Sequence, residues 1–349
     1  MQRKKKLITK KKFRLGEFIA EKTITATAFI SFTFIVLIFV FVFREALPIF
    51  SSQNEKPDQA NVKEETQETY GDDQMSDADK ATEQKKRDKA NDASEGDATL
   101  KNLSGKTWQP VSENPKYGII PLFVGSLKVS LIAILLAAPI GILAALFTST
   151  FAPKWAKELL KPAIEILAGF PSVVIGFFAL IVLATFLQDA FNFEYRLNAF
   201  VGGVALSIAV IPVIFTLSED ALAAVPKSYT EASLALGATK WETALHVILP
   251  AAVPGIFAAV LLGIGRAFGE TMIVLMATGN AALISFNVVE PVRTLSATIG
   301  AEMAEVVFGE THYNVLFFIG SLLFIFTFVL NGIAEIFIRQ RLMKKFGGR

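Results

Sequence analysis

Six long apolar stretches, set apart by polar segments, dominate the chain: residues 23–43, 119–148, 163–187, 199–217, 251–278 and 313–338. At roughly 1.5 Å per helical residue, stretches of this length cross the ~30 Å hydrocarbon layer of a bilayer. There a chain must satisfy its own backbone hydrogen bonds, so the pattern predicts an all-α membrane protein with six transmembrane helices. A secretory signal is the competing reading of the first stretch. It is longer than an apolar signal core and no A-x-A-like cleavage site follows it, so it reads as a retained span. Glycine and proline punctuate the later stretches at Pro139-Ile140-Gly141, Gly169-Phe170-Pro171, Pro212 and Pro254-Gly255. Such breaks are tolerated where neighbouring helices or a cavity satisfy the freed backbone groups, which suggests kinked helices packed around a pathway.

The polar segments give the sidedness. The N-terminus carries Lys4, Lys5, Lys6, Lys10, Lys11, Lys12 and Arg14. Lys154, Lys157 and Lys161 follow the second span, Lys227 and Lys240 follow the fourth, and Arg339, Arg341, Lys344, Lys345 and Arg349 close the chain. Six spans put all of these on one side, which the positive-inside rule makes the cytoplasm. The expected location is the cell (inner) membrane, with both termini cytoplasmic. The predicted organisation is a basic N-terminus (1–22), a first helix (23–43), a polar, largely disordered external loop (44–118), a five-helix core (119–338) enclosing a polar loop (218–250), and a basic tail (339–349). Within the external loop, residues 51–106 are too poor in large apolar side chains to bury a core.

Composition agrees with this picture: 52% of residues are hydrophobic and only 19% charged. The net charge of +2 averages basic cytoplasmic segments against an acidic loop and identifies no partner beyond the lipid bilayer. The chain has no cysteine, so it has neither disulfides nor thiolate metal sites. His246 and His312 lie far apart in sequence, and no metal or other cofactor is expected. Gly105-Lys106-Thr107 resembles the end of a phosphate-binding loop, but Leu100 stands where that motif needs glycine. Asn102-Leu103-Ser104 matches a glycosylation sequon, a pattern too short to weigh. If ATP drives this protein, another chain binds it, and the chain itself is not read as an enzyme.

The loop at 218–250 is polar yet strongly patterned. Ser228-x-x-Glu231 reads as a capping box opening one helix, and Gly237 as the left-handed residue closing it. Thr239-x-x-Glu242 reads as a second capping box, and Pro250 bounds the second helix. The expectation is a compact helix–turn–helix knob at the membrane surface. A DNA-binding role is set aside because apolar spans flank it closely; no nucleic-acid partner is expected. Glu231-Ala232-Ser233, Gly237 and Val247-Ile248-Leu249-Pro250 resemble, in their spacing, the EAA loop of ABC-importer permeases. That resemblance implies that Glu231, Ala232 and Gly237 help dock a cytoplasmic ATPase.

Charges inside the spans are the candidate chemistry. In Gly263-Ile264-Gly265-Arg266-Ala267-Phe268-Gly269-Glu270-Thr271, Arg266 and Glu270 stand four apart, so a continuous helix puts them on one face where they can pair. Each charge at mid-bilayer costs roughly 2.5–3.5 kcal/mol, so such residues face the bundle interior or water. Gly263, Gly265 and Gly269 permit close helix approach or leave space for a solute. A guanidinium binds tetrahedral oxyanions through forked hydrogen bonds at any working pH. This chemistry suits a small oxyanion without separating phosphate from sulfate or molybdate. Lys128 is either a pathway residue or a snorkelling one, and Glu165 either lies within the third span or flanks it.

Gly118-Ile119-Ile120-Pro121-Leu122, Pro171-Ser172-Val173-Val174-Ile175-Gly176-Phe177, the run from Leu217 to Pro226, Gly265-Arg266-Ala267-Phe268-Gly269-Glu270-Thr271-Met272 and Thr294-Leu295-Ser296-Ala297-Thr298-Ile299 resemble the PstC-type permease subunits of phosphate ABC importers. The similar PstA-type subunit is the nearest rival, and the approach to the second span through Trp108 favours PstC. The likeness implies a type I ABC-importer permease with a cytoplasmic coupling helix pair. Its implied partners are a second, PstA-like permease subunit, two PstB-like ATPase subunits and an extracytoplasmic PstS-like phosphate-binding protein. It assigns Arg266, Glu270 and Thr271 to the substrate pathway. Two features depart from the family: the length of the 51–106 insertion and the presence of Lys128. The other readings are a permease for another oxyanion, an ion-coupled secondary carrier, and a membrane sensor that moves nothing; neither of the last two needs an ATPase-docking knob.

Overall fold

The computed structural model describes residues 15–51, 100–112 and 114–337. The basic residues 1–14, the bulk of the external loop and the tail from 338 lie outside the described residues, and with them part of the charge argument. The elements are α1 (Leu15–Ala46), α2 (Pro48–Ser51), α3 (Leu100–Leu103), β1 (Trp108–Gln109), β2 (Lys116–Tyr117), α4 (Ile120–Leu146), α5 (Lys154–Ala168), α6 (Ser172–Phe178), α7 (Ala184–Phe191), α8 (Ala199–Ala223), α9 (Lys227–Ala235), α10 (Lys240–Thr243), α11 (Leu249–Gly269), α12 (Met272–Ala277), α13 (Leu295–Glu302) and α14 (Thr311–Phe337). Single π turns at Phe147–Phe151, Ala179–Leu183 and Ala244–Ile248 extend α4, join α6 to α7, and join α10 to α11.

Among the described residues six helical runs are long and apolar enough to cross a membrane: Phe18–Phe50, Ile120–Phe151, Ser172–Phe191, Ala199–Ala223, Lys240–Gly269 and Thr311–Ile333. Their number and order match the apolar pattern, but the third and fifth spans are bounded differently. The third span starts at Ser172, not at 163. Residues 163–168 belong to α5, an amphipathic helix outside the spans that presents Ala156 and Ile164 to the protein and leaves Trp155, Leu159 and Ile166 exposed. Gly169 caps α5, and Pro171 disfavours helical geometry at Phe170, so one apolar run becomes two helices. Glu165 is therefore an exposed residue of α5, not a membrane charge.

The fifth span begins at Lys240, inside the expected knob. Pro250 does not end the second knob helix, which continues through the π turn into α11. The Leu249 N–H reaches back to the Ala244 carbonyl, and the widened turn accommodates the proline that follows without breaking the helix. At its far end the span stops at Gly269, nine residues before the apolar pattern does, and the chain restarts as the short α12.

α8 is the central helix, packed between α4 and α11, with Val201, Leu206, Val210 and Ile214 wholly buried. Small residues on α8 let its neighbours approach: a Cβ on Gly203 would lie 2.5 Å from Ile132 Cγ2 of α4. The first N–H groups of α8 are satisfied by tertiary partners. Val201 N–H donates to Asn198 Oδ1 at 2.9 Å, and Ala199 and Phe200 donate to the Glu290 and Val288 carbonyls. α1 stays at the periphery against α14, through the Phe39–Phe324 and Phe41–Phe317 ring pairs.

Both described ends of the 44–118 loop are built into the fold. Residues 100–112 and 114–118 form a strap: α3, then a two-stranded antiparallel ribbon pairing Trp108 with Tyr117. Leu103, Trp108 and Tyr117 bury themselves against Ile49, Leu122, Phe268, Leu295 and Leu316. The strap therefore caps one end of the spans. At the opposite end, Lys161 of α5 pairs with the buried Glu219 of α8 at 2.7 Å, and Lys157 donates to the Ser149 carbonyl.

Candidate functional site

The break after α11 assembles the first candidate site. The chain leaves the helix at Glu270, with φ −70° and ψ 132°, and Thr271 opens α12. Ser296 of α13 donates its hydroxyl to the Glu270 carbonyl at 2.6 Å. Ser126 of α4 accepts the Leu295 N–H at 2.9 Å while donating to the Leu122 carbonyl. Thr294 caps α13, its hydroxyl accepting from the Ala297 N–H. Ser126, Ser130, Thr294, Ser296 and Glu270 line a crevice of ≈150 Å³, too narrow to admit a water. The N-termini of α12 and α13, the positive ends of their dipoles, thus meet beside a carboxylate, in a setting rich in hydroxyl donors.

The expected Arg266–Glu270 pair does not form: neither side chain makes an ion pair among the described residues. The i,i+4 relation needs continuous helix, and the extended backbone at Glu270 carries its side chain off the face that Arg266 occupies. Arg266 instead lies on an uncovered stripe of α11 with Leu262, Gly265 and Gly269, at the i, i+3, i+4 and i+7 positions. A Cβ on Gly265 or Gly269 would meet nothing within 4 Å, whereas one on Gly263 would press on Ile214. Of the three glycines, one serves close helix packing and two keep an open flank shallow beside the guanidinium. Lys128 stands apart from this group. Its ammonium donates to the Asn287 carbonyl at 3.0 Å, in the loop between α12 and α13, and it does not line the crevice. Thr271 packs its methyl against Gly300, where a Cβ would lie 2.5 Å from Thr271 Cγ2.

The second candidate site is the knob, α9–α10. The Thr239–Glu242 capping box is present in both directions: the Glu242 N–H donates to the Thr239 hydroxyl, and the Thr239 N–H donates to the Glu242 carboxylate at 2.8 Å. Gly237 has φ +89°, with Ala238 N–H on the Ser233 carbonyl and Gly237 N–H on the Leu234 carbonyl, the paired bonds of a Schellman close. The Ser228 box does not form. α9 begins at Lys227 after Pro226, so Ser228 is already inside the first turn and cannot cap it. Ser233 and Thr243 hydroxyls, 2.9 Å apart, tie the two helices together. Trp241 rests against Phe151, and Thr243 and Ala244 are buried, which fixes the knob on the core. Its outer side is bare: Glu231 and Ala232 are exposed, and Leu236, at the corner, is 90% exposed.

A third cluster went unread in the sequence. Glu302, at the end of α13, accepts from Trp108 Nε1 at 3.1 Å, pairs with Arg293 at 2.8 Å and meets His312 Nε2 at 2.9 Å. Burial pushes the Glu302 carboxyl up, but the bonds from His312 and Trp108 and the Arg293 guanidinium outweigh it and hold it below the usual carboxylate range. These four residues come from the strap, a loop and two helices, so no local spacing announces them. The hydroxyls at the break left one trace: Ser126 and Ser130, four apart, share a face of α4.

Residues 137–342 match the family described as "Binding-protein-dependent transport system inner membrane component", and the chain belongs to it. It is 38% identical over 234 residues, 67% of this chain and 76% of the relative, to a "Probable ABC transporter permease protein YqgH" of Bacillus subtilis. It is 35% identical over 252 residues, again 67% and 76%, to the "Phosphate transport system permease protein PstC" of Mesorhizobium japonicum. The protein of that same name from Xylella fastidiosa is 33% identical over 259 residues, 69% of this chain and 78% of the relative. With six apolar helices, the chain is a multi-pass membrane permease.

Proposed function

We propose that this member of the binding-protein-dependent transport family is the permease subunit of an ATP-driven importer of inorganic phosphate. It forms the translocation pathway together with a second permease subunit. The observation that carries the reading is the uncovered knob. Its backbone is closed by a Schellman turn and a two-way capping box, yet Leu236 at its tip is 90% exposed. A rigid corner with a bare apolar tip fits a cleft on a partner protein. Glu231, Ala232 and Gly237 belong to that docking surface, and the partner is a cytoplasmic ATPase, supplied as two copies. The knob and both termini then face the cytoplasm, and the strap faces outward, where an extracytoplasmic phosphate-binding protein delivers substrate.

Arg266, Glu270 and Thr271 are assigned to the phosphate pathway. An unpaired guanidinium on a shallow glycine-lined stripe is costly at membrane depth on its own. It becomes favourable when a second permease subunit closes over the stripe and a tetrahedral anion enters between them, accepting forked hydrogen bonds. Glu270 stands off the Arg266 face, so the guanidinium stays free for the anion. Lys128 serves the outer mouth of the pathway, since its ammonium reaches from α4 to the Asn287 carbonyl of the loop between α12 and α13.

The test is reconstitution of the chain with its partners in sealed vesicles. Uptake of labelled phosphate should require ATP and a retained ATPase subunit, and unlabelled phosphate should compete better than sulfate or molybdate. Preferential uptake of either of those anions would overturn the substrate assignment and leave the importer standing. Uptake driven by a proton or sodium gradient with no ATPase bound would overturn the class.

A further inference from the structure

α13 touches both the strap and the break. Its eight residues run about 12 Å. At one end Ser296 holds the Glu270 carbonyl, and Ser126 holds the Leu295 N–H. In its last turn Gly300 packs against the methyl of Thr271, so closely that no Cβ fits. At the other end Glu302 gathers Trp108, Arg293 and His312. Between these contacts the helix is tightly enclosed: Leu295, Ala297 and Thr298 have no exposed surface. A short helix in such a setting moves as one piece, because close-packed interiors transmit displacement instead of absorbing it.

From this we infer that α13 is a strut by which the outer strap sets the position of the Glu270–Thr271 break, and that Glu302 is the positioning residue fixing its outer end. The inference rests on the reading of that break as part of the pathway. Its physical content is specific. The strap carries little secondary structure of its own, a four-residue helix and two two-residue strands, and it is anchored through Trp108. Any outer partner that grips the strap therefore acts on Glu302. The helix axis then carries the displacement to the hydrogen bond by which Ser296 holds the Glu270 carbonyl at the break. A Glu302 that merely stabilised the outer surface would leave the break indifferent to changes at Trp108.

Two measurements on the assembled complex test this. The first is a double-mutant cycle in phosphate uptake with Trp108→Phe and Ser296→Ala. The first removes the Trp108–Glu302 bond, and the second removes the bond to the Glu270 carbonyl with a weak contact to the Thr294 hydroxyl; each should slow uptake roughly fivefold through the maximal rate, with assembly intact. The two sites share no direct contact and stand about 9 Å apart along the helix, where independent effects multiply. A strut broken at one end gains little from breaking the other, so the double variant should be within about twofold of the worse single variant. A roughly 25-fold loss, the product of the two, overturns the inference.

The second is hydrogen exchange of α13 amides in Trp108→Phe and in Glu302→Gln, which needs no substrate. Exchange should quicken along the whole helix, including Ala297 and Thr298 near Glu270. Faster exchange confined to the last turn overturns the strut whatever the uptake shows. Wild-type vesicles that move no phosphate would instead overturn the substrate reading, with the exchange result standing by itself.

Discussion

The knob and the break, at opposite ends of the fifth span, are built by different means. The knob is closed by contacts within 11 residues in sequence: Thr239 with Glu242, Gly237 with Leu234, Ser233 with Thr243. The break is held by contacts that span the chain, from Ser296 to Glu270, Leu295 to Ser126, and Glu302 to Trp108. A locally closed element keeps its shape when its surroundings move, which suits a part that must transmit force from a partner. A site assembled from three separate helices changes whenever any one of them shifts, which suits a gate. Under the proposed function, rigidity sits where the ATPase presses and adjustability where the solute passes.

The largest expected effect falls on the open stripe of α11. Arg266→Ala should cut phosphate uptake by roughly 100-fold, the worth of a charge-assisted hydrogen bond of about 3 kcal/mol. Subunit stoichiometry on gel filtration should be unchanged, since Arg266 has no ion-pair partner among the described residues. Full uptake by the variant would remove Arg266 from the pathway.

Next comes Gly237→Val, which acts on the knob alone. Its φ of +89° is a region that β-branched residues avoid at a cost of about 2 kcal/mol or more. The spans should stay folded while ATPase retention falls roughly 10- to 30-fold, read by titrating the ATPase onto immobilised permease. Normal retention with normal uptake would separate the knob from coupling.

Smaller losses should show the difference between the two regions. Thr239→Ala removes a helix cap worth about 1 kcal/mol and should weaken ATPase retention about fivefold without altering α13. Ser126→Ala leaves the buried Leu295 N–H without its acceptor, at a cost of about 1–3 kcal/mol. It should lower thermal stability and raise hydrogen exchange in α13 without touching the knob. If Ser126→Ala loosened the knob as much as Thr239→Ala does, the two regions would not be separable.

The smallest effect is one of pH. Glu302 is held below its usual pKa, so its contribution to strap docking is complete above the unfolded carboxyl value of about 4.3 and is lost as pH falls through the lower folded value. Trp108 fluorescence, with Trp155 and Trp241 replaced by Phe, should be flat at neutral pH and shift toward the solvent-exposed form only below the usual carboxylate range. Glu302→Gln should flatten that transition. A transition near neutrality would mean that another group controls the strap.

What the sequence determined by itself follows from short-range physics. Apolar length named the number and order of spans because a bilayer fixes the length a helix needs to cross it. Gly237 and the Thr239–Glu242 box were readable because turn and cap chemistry act within a few residues. The same local logic failed at Ser228, since Pro226 started the helix earlier, and at Pro250, where a π turn accommodated the proline. Hydropathy merged α5 with the third span because it measures composition, not the break that Gly169 and Pro171 make. The tertiary structure alone decided the rest. It ended α11 before Glu270 and so separated that carboxylate from Arg266. It brought Ser126, Thr294 and Ser296 to the break, tied Lys128 to a loop carbonyl, and gathered Trp108, Arg293 and His312 on Glu302. Those partners lie between 9 and 194 residues from the atoms they meet, so only the packing of helices against one another, not any spacing along the chain, brings them together.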